Sequence, residues 1–337
     1  MRPEPLLRAV VGVLLLLVTC DCAFPSPFPA ASAKSSARST RATPAPSASS
    51  ARQQASPAPT QAQTTVPAPT VYGTDWLAKH PSPDLGIHGQ AVVLIDVDRQ
   101  QIIWQRDPST PRAPASLAKL VTAMVAADLA PLDKSLTVSA ATDMHAAQRV
   151  EPASTIMGLG AGEVLTLREL MYGLFMRSGN DAAETIAAGI VPRERFIELM
   201  NQKAASLGMT QSHFTTPVGL DDPGMYSSAR DLAVAGATIV RHYPELLAIS
   251  GTPQIAIPQT PTHKEYMLEN YNKLLLPGPL NYGGATGMKT AFTDNAGPCM
   301  VATARRGQRR LVAVTLHSEN FFEDANKLLT YGFGLPS

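Results

Sequence analysis

Apolar positions change their spacing along the chain, and the changes divide it. Residues 9–18 form an unbroken apolar run, whereas 24–70 hold almost no large apolar side chain. From 91 to 97 aliphatic and β-branched residues follow one another, and 101–105 repeats the flavour after a short polar turn, which predicts a β-hairpin. At 116–129 the period becomes helical, with Leu117, Leu120, Val121, Met124 and Val125 on one stripe. Helical patterns also cover 166–175, 181–190, 192–207 and 227–240. The stripe Leu167, Leu170, Met171, Leu174 and Phe175 is expected to be core. Strand character returns at 287–293, 298–304 and 310–316, and 321–331 closes as an amphipathic helix. Strands at both ends of a helical middle predict an α+β fold. One antiparallel sheet, built from the two ends and flanked by helices, would carry an inserted all-helical subdomain.

Composition sharpens the division. The ten apolar residues of 9–18, flanked by Arg2 and Arg8, are too few to span a bilayer and suit the core of an export signal over 1–23. Leu17-Val18-Thr19-Cys20 resembles a lipobox, which leaves two outcomes open: lipid attachment at Cys20, or ordinary cleavage near Cys22 or Ala23. The segment 24–70 has nine prolines, four basic residues and no acidic one, so it buries too little to offset ordering and reads as a disordered linker. The unit expected to fold is 71–337. Of the three cysteines only Cys299 falls in it, as a small buried hydrophobe, so no disulfide framework is expected. The whole chain carries 28 basic against 27 acidic residues. A net charge of +1 lacks the electrostatic footprint of a nucleic-acid binder.

Within 71–337 the first chemical signal is Pro114-Ala115-Ser116-Leu117-Ala118-Lys119. Ser and Lys three apart at a helix start share one face. A hydroxyl becomes a good nucleophile when a neighbouring base takes its proton, and an amine can do so if its pKa is lowered. Ser116–Lys119 is the one pair with this offset among the nine lysines. The plainer reading is a serine N-cap followed by a solvated lysine. The second signal is Arg177-Ser178-Gly179-Asn180-Asp181, 62 residues later and between two helices. There a hydroxyl could relay protons and an amide could hold a substrate carbonyl, or either could merely cap a helix. The third is Gly287-Met288-Lys289-Thr290-Ala291-Phe292-Thr293, where a lysine on an apolar strand either protrudes to solvent or lines a site. Ser318-Glu319-Asn320 also fits S-x-N, so that triplet means little by itself; the ordered triple of S-x-x-K, S-x-N and K-T is specific.

On these residues, 85–334 resembles the low-molecular-mass penicillin-binding proteins of the D-alanyl-D-alanine carboxypeptidase family. The likeness extends through Thr216-Pro217-Val218-Gly219-Leu220-Asp221, Tyr226-Ser227-Ser228-Ala229-Arg230-Asp231, Asn270-Tyr271-Asn272-Lys273 and Asn295-Ala296-Gly297. The resemblance implies Ser116 as nucleophile on the carbonyl between two D-alanines of a peptidoglycan stem peptide, with Lys119 as its base. It implies Ser178 as proton shuttle, Asn180 on the substrate amide, and Lys289 with Thr290 on the terminal carboxylate. Lys289 would also help keep Lys119 neutral, and the backbone N–H groups of Ser116 and Phe292 would form the oxyanion hole. It implies β-lactams as inhibitors and needs neither metal nor organic cofactor.

Three positions depart from the family pattern: Ala291 where Gly is usual, Val218 where many relatives have His, and Phe321-Phe322-Glu323-Asp324 without an Arg. With the chain stopping at Ser337, membrane attachment is expected only through the N-terminus, on the outer side of the cytoplasmic membrane. Gly158-Leu159-Gly160-Ala161-Gly162 has Glu163 where a dinucleotide site needs its third glycine and has no preceding strand, and the seven histidines show no zinc-ligand spacing. The expected activity is serine-type D-Ala-D-Ala carboxypeptidase. The competing readings are a D,D-endopeptidase, a β-lactamase and a non-catalytic wall-binding module.

Overall fold

The computed structural model describes residues 70–142 and 154–336. The expectations for 1–23 and for 24–70, all but Thr70, lie outside the described residues. In chain order the elements begin with helix α1 (Asp75–Lys79) and strands β1 (Ala91–Asp96) and β2 (Gln101–Arg106). A 3-10 turn (Ala115–Ala118) runs into helix α2 (Lys119–Leu129), followed by β3 (Ser135–Thr137) and β4 (Val164–Thr166). Helices α3 (Leu167–Met176), α4 (Asn180–Ile190), α5 (Arg193–Ser206), α6 (Ala229–His242) and α7 (Pro244–Ser250) come next. Then follow β5 (Gln254–Ile257), β6 (Tyr266–Glu269), β7 (Ala285–Ala291), β8 (Cys299–Arg306), β9 (Arg309–Leu316) and helix α8 (Phe321–Gly334).

The expected sheet from two chain ends is present. Its order is β2-β1-β9-β8-β7, and every neighbouring pair is antiparallel. The register sets Val93 against Val314 and Leu94 against Ala313, which joins the first hairpin to the last three strands. Successive side chains of a strand face opposite ways, and here both faces are covered. Val93 and Ile95 belong to the large core shared with the helical middle, whereas Val92 and Leu94 join Phe322, Leu328 and Leu329 beneath α8. That double burial is why 91–97 reads as a continuous apolar run. Each such side chain contributes roughly 1.5–3 kcal/mol when fully buried. On the other face α6 approaches closely at Gly236, where a Cβ would lie 3.0 Å from both Val301 and Val312.

The inserted region is mostly helical, and it also holds two short antiparallel pairs, β3 with β4 and β5 with β6. These three- and four-residue strands are too short for a period to register, as are α1 and α7. Helix α3 starts on a capping box: Thr166 accepts from the Glu169 N–H, and Glu169 accepts from the Thr166 N–H. Its stripe Leu167, Leu170, Met171, Leu174 and Phe175 is buried, as expected. Cys299 is likewise buried and unpaired with any cysteine. The strand expected over 287–293 runs instead over Ala285–Ala291, so Phe292 and Thr293 lie just past its end.

Candidate active site

The segment expected to be helical from 116 begins as a 3-10 turn, with Ala115 at φ 47° and the Leu117 N–H donating to the Pro114 carbonyl at 3.1 Å. In a 3-10 turn residues i and i+3 eclipse, which stacks Lys119 directly over Ser116. Lys119 Nζ lies 3.0 Å from Ser116 Oγ, 2.7 Å from Asn180 Oδ1 and 2.7 Å from the Val218 carbonyl oxygen. The plainer reading of this pair fails on two counts. Ser116 is no helix cap, and Lys119 is fully buried rather than solvated.

The Val218 carbonyl reaches Lys119 because Gly219 comes up against the turn. Gly219 sits at φ 89°, and a Cβ there would be 2.0 Å from the Ala115 carbonyl oxygen. Only glycine permits that approach.

Three neighbours around one amine decide its chemistry. A neutral amine has two N–H donors and one lone pair. The Val218 carbonyl and Asn180 Oδ1 occupy the donors, leaving the lone pair toward the Ser116 hydroxyl. Burial holds the Lys119 pKa well below the ordinary lysine value, the charge of Lys289 lowers it further, and Asp181 and Glu184 oppose both. Nitrogen and hydroxyl are therefore arranged for proton transfer from Ser116 to Lys119.

Ser178 and Asn180 come from the turn joining α3 to α4. Ser178 is in the left-handed region at φ 57°, and both side chains are buried. Neither caps α4, whose N-cap is Gly179. With Oδ1 on Lys119, the amide NH₂ of Asn180 is the end left for a ligand. Lys289 on β7 is 1% exposed, so it neither protrudes to solvent nor forms wall; its Nζ donates to the Thr290 carbonyl at 2.6 Å. Burial brings its pKa down to about 7.

Ser116, Ser178, Asn180, Thr290 and Phe292 line one cavity of about 630 Å³. Lys119 and Lys289 sit behind its wall. Among the described residues no three His, Cys, Asp or Glu side chains are grouped as metal ligands.

The departures find places on this wall. Ala291, 8% exposed, lines the cavity with its methyl. Val218 serves through its backbone carbonyl, so replacing His leaves the bond to Lys119 intact. Phe321, Phe322 and Glu323 line the cavity, whereas Asp324 turns inward and accepts from the His88 and Gly89 N–H groups. Lys273 is the cationic side chain on the wall among the described residues.

Sequence reasoning missed four contributors. Val218 acts through a carbonyl that has no letter of its own; the glycine after it was the available signal. Thr155, Asp181 and Asp221 act by holding backbone. Asp221 accepts from the Thr293 hydroxyl at 2.7 Å and the Asn295 N–H at 3.1 Å, tying the loop after Gly219 to the end of β7.

Residues 77–320 match the sequence profile described as D-alanyl-D-alanine carboxypeptidase. D-alanyl-D-alanine carboxypeptidase DacC of Escherichia coli (strain K12) is 33% identical over 274 residues, covering 79% of this chain and 65% of that protein. DacB2 of Mycobacterium tuberculosis is 32% identical over 254 residues, 73% of this chain and 82% of the relative. The chain thus spans just under two thirds of the E. coli relative's length. A crystal structure of a D-alanyl-D-alanine carboxypeptidase from M. tuberculosis H37Rv superposes with a TM-score of 0.67 at 32% identity, over 76% of this chain and 94% of that one. The Streptomyces K15 DD-transpeptidase structure gives 0.67 at 26% identity, over 75% and 99%.

Proposed function

The chain belongs to the D-alanyl-D-alanine carboxypeptidase family, and we propose that it removes the terminal D-alanine from peptidoglycan stem pentapeptides through an ester on Ser116. The observation that carries this reading is the buried amine of Lys119, held by two acceptors with its third side toward the Ser116 hydroxyl. Lys119 takes the hydroxyl proton as Ser116 Oγ attacks the carbonyl between the two D-alanines. The backbone N–H groups of Ser116 and Phe292 receive the developing oxyanion, a contribution of about 10²–10³ in rate per donor in comparable sites. Ser178 passes the proton to the departing D-alanine nitrogen, and the C–N bond breaks. The NH₂ of Asn180 holds the substrate amide, and Thr290 on the cavity wall receives the terminal carboxylate, with Lys289 acting from behind that wall through its charge and not by direct contact. Water then attacks the ester, Lys119 takes its proton, and Ser116 regains its own as the shortened peptide leaves.

A β-lactam enters by the same attack, but its opened ring keeps the leaving nitrogen attached, so the ester persists. The proposed substrate lies outside the cytoplasmic membrane, and the export pattern at 1–23 would deliver the enzyme there. Trimming stems removes donors for crosslinking, so the role extends to wall organisation and cell shape.

Incubation with a peptide ending in D-Ala-D-Ala, with free D-alanine assayed, tests the reading. Catalytic release that penicillin blocks is the expected result. No release from a folded protein would overturn it.

A further inference from the structure

The turn bearing Ser178 and Asn180 is held from outside by a second segment, and one carboxylate holds that segment. Asp181 is 1% exposed. Its Oδ1 accepts from the Met157 N–H at 2.8 Å, and its Oδ2 accepts from the Gly158 and Leu159 N–H groups at 2.8 and 2.9 Å. Oδ1 also accepts from the Ala182 N–H at 2.8 Å. Three successive amides, the last two from the glycine-rich stretch 158–162, thus converge on one internal anion.

The clamped segment reaches back to the active-site turn two residues earlier. The Thr155 hydroxyl donates to the Ser178 carbonyl at 2.9 Å, and the Thr155 carbonyl accepts from the Asn180 N–H at 2.8 Å. The Gly179 N–H donates to the Gly173 carbonyl at 3.0 Å, which fixes the turn against α3. Ser178 needs this support, because a non-glycine residue at φ 57° occupies a disfavoured region. Asn180 in turn delivers Oδ1 to Lys119.

Resting on the function proposed above, we infer that Asp181 is a positioning residue of the active site: its carboxylate fixes 157–159, through them Thr155, and through Thr155 the Ser178–Asn180 turn. Aspartate suits the task where its neighbours in size do not. Asparagine would turn an NH₂ toward at least one backbone N–H. Glutamate would overfill a space so close that a Cβ on Gly179 would lie 2.9 Å from Asp181 Oδ1. An acidic residue in the first turn of α4 also suits the helix dipole. A purely helix-stabilising role would affect folding and leave the reactivity of Ser116 untouched.

The test compares acylation by a fluorescent penicillin in the full chain, in Asp181→Asn, in Thr155→Val and in the double variant. The expected result is at least a 10-fold slower acylation in Asp181→Asn and a smaller loss in Thr155→Val. The double variant should be no slower than Asp181→Asn, because the two act in series. The pH profile adds a readout that helix stability would not move. Lys119 faces the positive charge of Lys289 and the negative charges of Asp181 and Glu184. Removing the Asp181 charge favours the neutral amine, so the acid limb should shift to lower pH. Wild-type rates in Asp181→Asn, effects that multiply in the double variant, or an unmoved acid limb would each overturn the inference. Should Asp181→Asn fail to fold, Thr155→Val decides, and a wild-type rate there overturns it. If the unmodified chain takes up no penicillin, the proposed function falls first, a result distinct from any of these.

Discussion

Lys119 Nζ lies 2.7 Å from the carbonyl oxygen of Val218, a residue 99 positions further along the chain. With Asn180 Oδ1 at the same distance, this contact uses up the donors of a neutral amine and aims the remaining lone pair at Ser116. The site's reactivity therefore depends on a loop that contributes no reactive side chain.

Gly219→Ala tests that dependence. The new methyl would lie 2.0 Å from the Ala115 carbonyl oxygen in a backbone conformation at φ 89°. The loop must retreat and take the Val218 carbonyl with it. Stability should fall by at least about 2 kcal/mol, since positive φ and overpacking each cost on the order of 1 kcal/mol or more. Acylation should slow in whatever fraction folds. Denaturant unfolding beside penicillin labelling measures both.

Lys119→Met keeps an unbranched side chain out to the ε position and removes the nitrogen. Penicillin acylation should slow by about 10²–10⁴-fold, the usual worth of a positioned base. Circular dichroism should show the fold retained. A labelling rate within a few-fold of the unmodified protein would remove Lys119 from the mechanism.

Asn180→Asp replaces an amide by a carboxylate against the same amine. A negative charge at 2.7 Å favours the ammonium form and so raises the Lys119 pKa. The neutral base is then populated only at higher pH. The acid limb of the acylation profile should shift upward, with at least a 10-fold loss at pH 7. Stopped-flow acylation between pH 5 and 10 measures it.

Lys289 makes a prediction about stability. Burial lowers its folded pKa to about 7, from an ordinary value of 10.5. Above pH 7 the unfolded chain therefore holds a proton that the folded chain has lost, so stability climbs as pH rises through that window. A full proton difference corresponds to about 1.4 kcal/mol per pH unit. Lys289→Met should flatten the climb between pH 7 and 8.5 relative to the unmodified protein. Equal slopes in chemical denaturation would show that the Lys289 amine is not depressed.

How far the sequence foretold this molecule follows from where its information is carried. The sheet of two chain ends was legible because 91–97 and 310–316 are long, mostly apolar runs, the pattern left by strands such as β1 that are buried on both faces. The short pairs β3–β4 and β5–β6 left no period to detect. Ser116, Asn180 and Lys289 could be read as letters, because their chemistry lies in their side chains. The depth of Lys289 could not, since a lysine on an apolar strand gives the same string whether it faces water or the interior. Val218 and Thr155 were hidden for a different reason: they act on or through backbone groups, which every residue possesses. Asp181 stood in the turn at 177–181, but three of the amides it accepts from belong to a segment more than twenty residues earlier.

The most direct measurement is peptide mapping by mass spectrometry after a brief exposure to benzylpenicillin. One adduct carrying the whole antibiotic, on the peptide that contains Ser116 and absent from Ser116→Ala, is the predicted result. An adduct on another residue, or none on folded protein, would contradict the account.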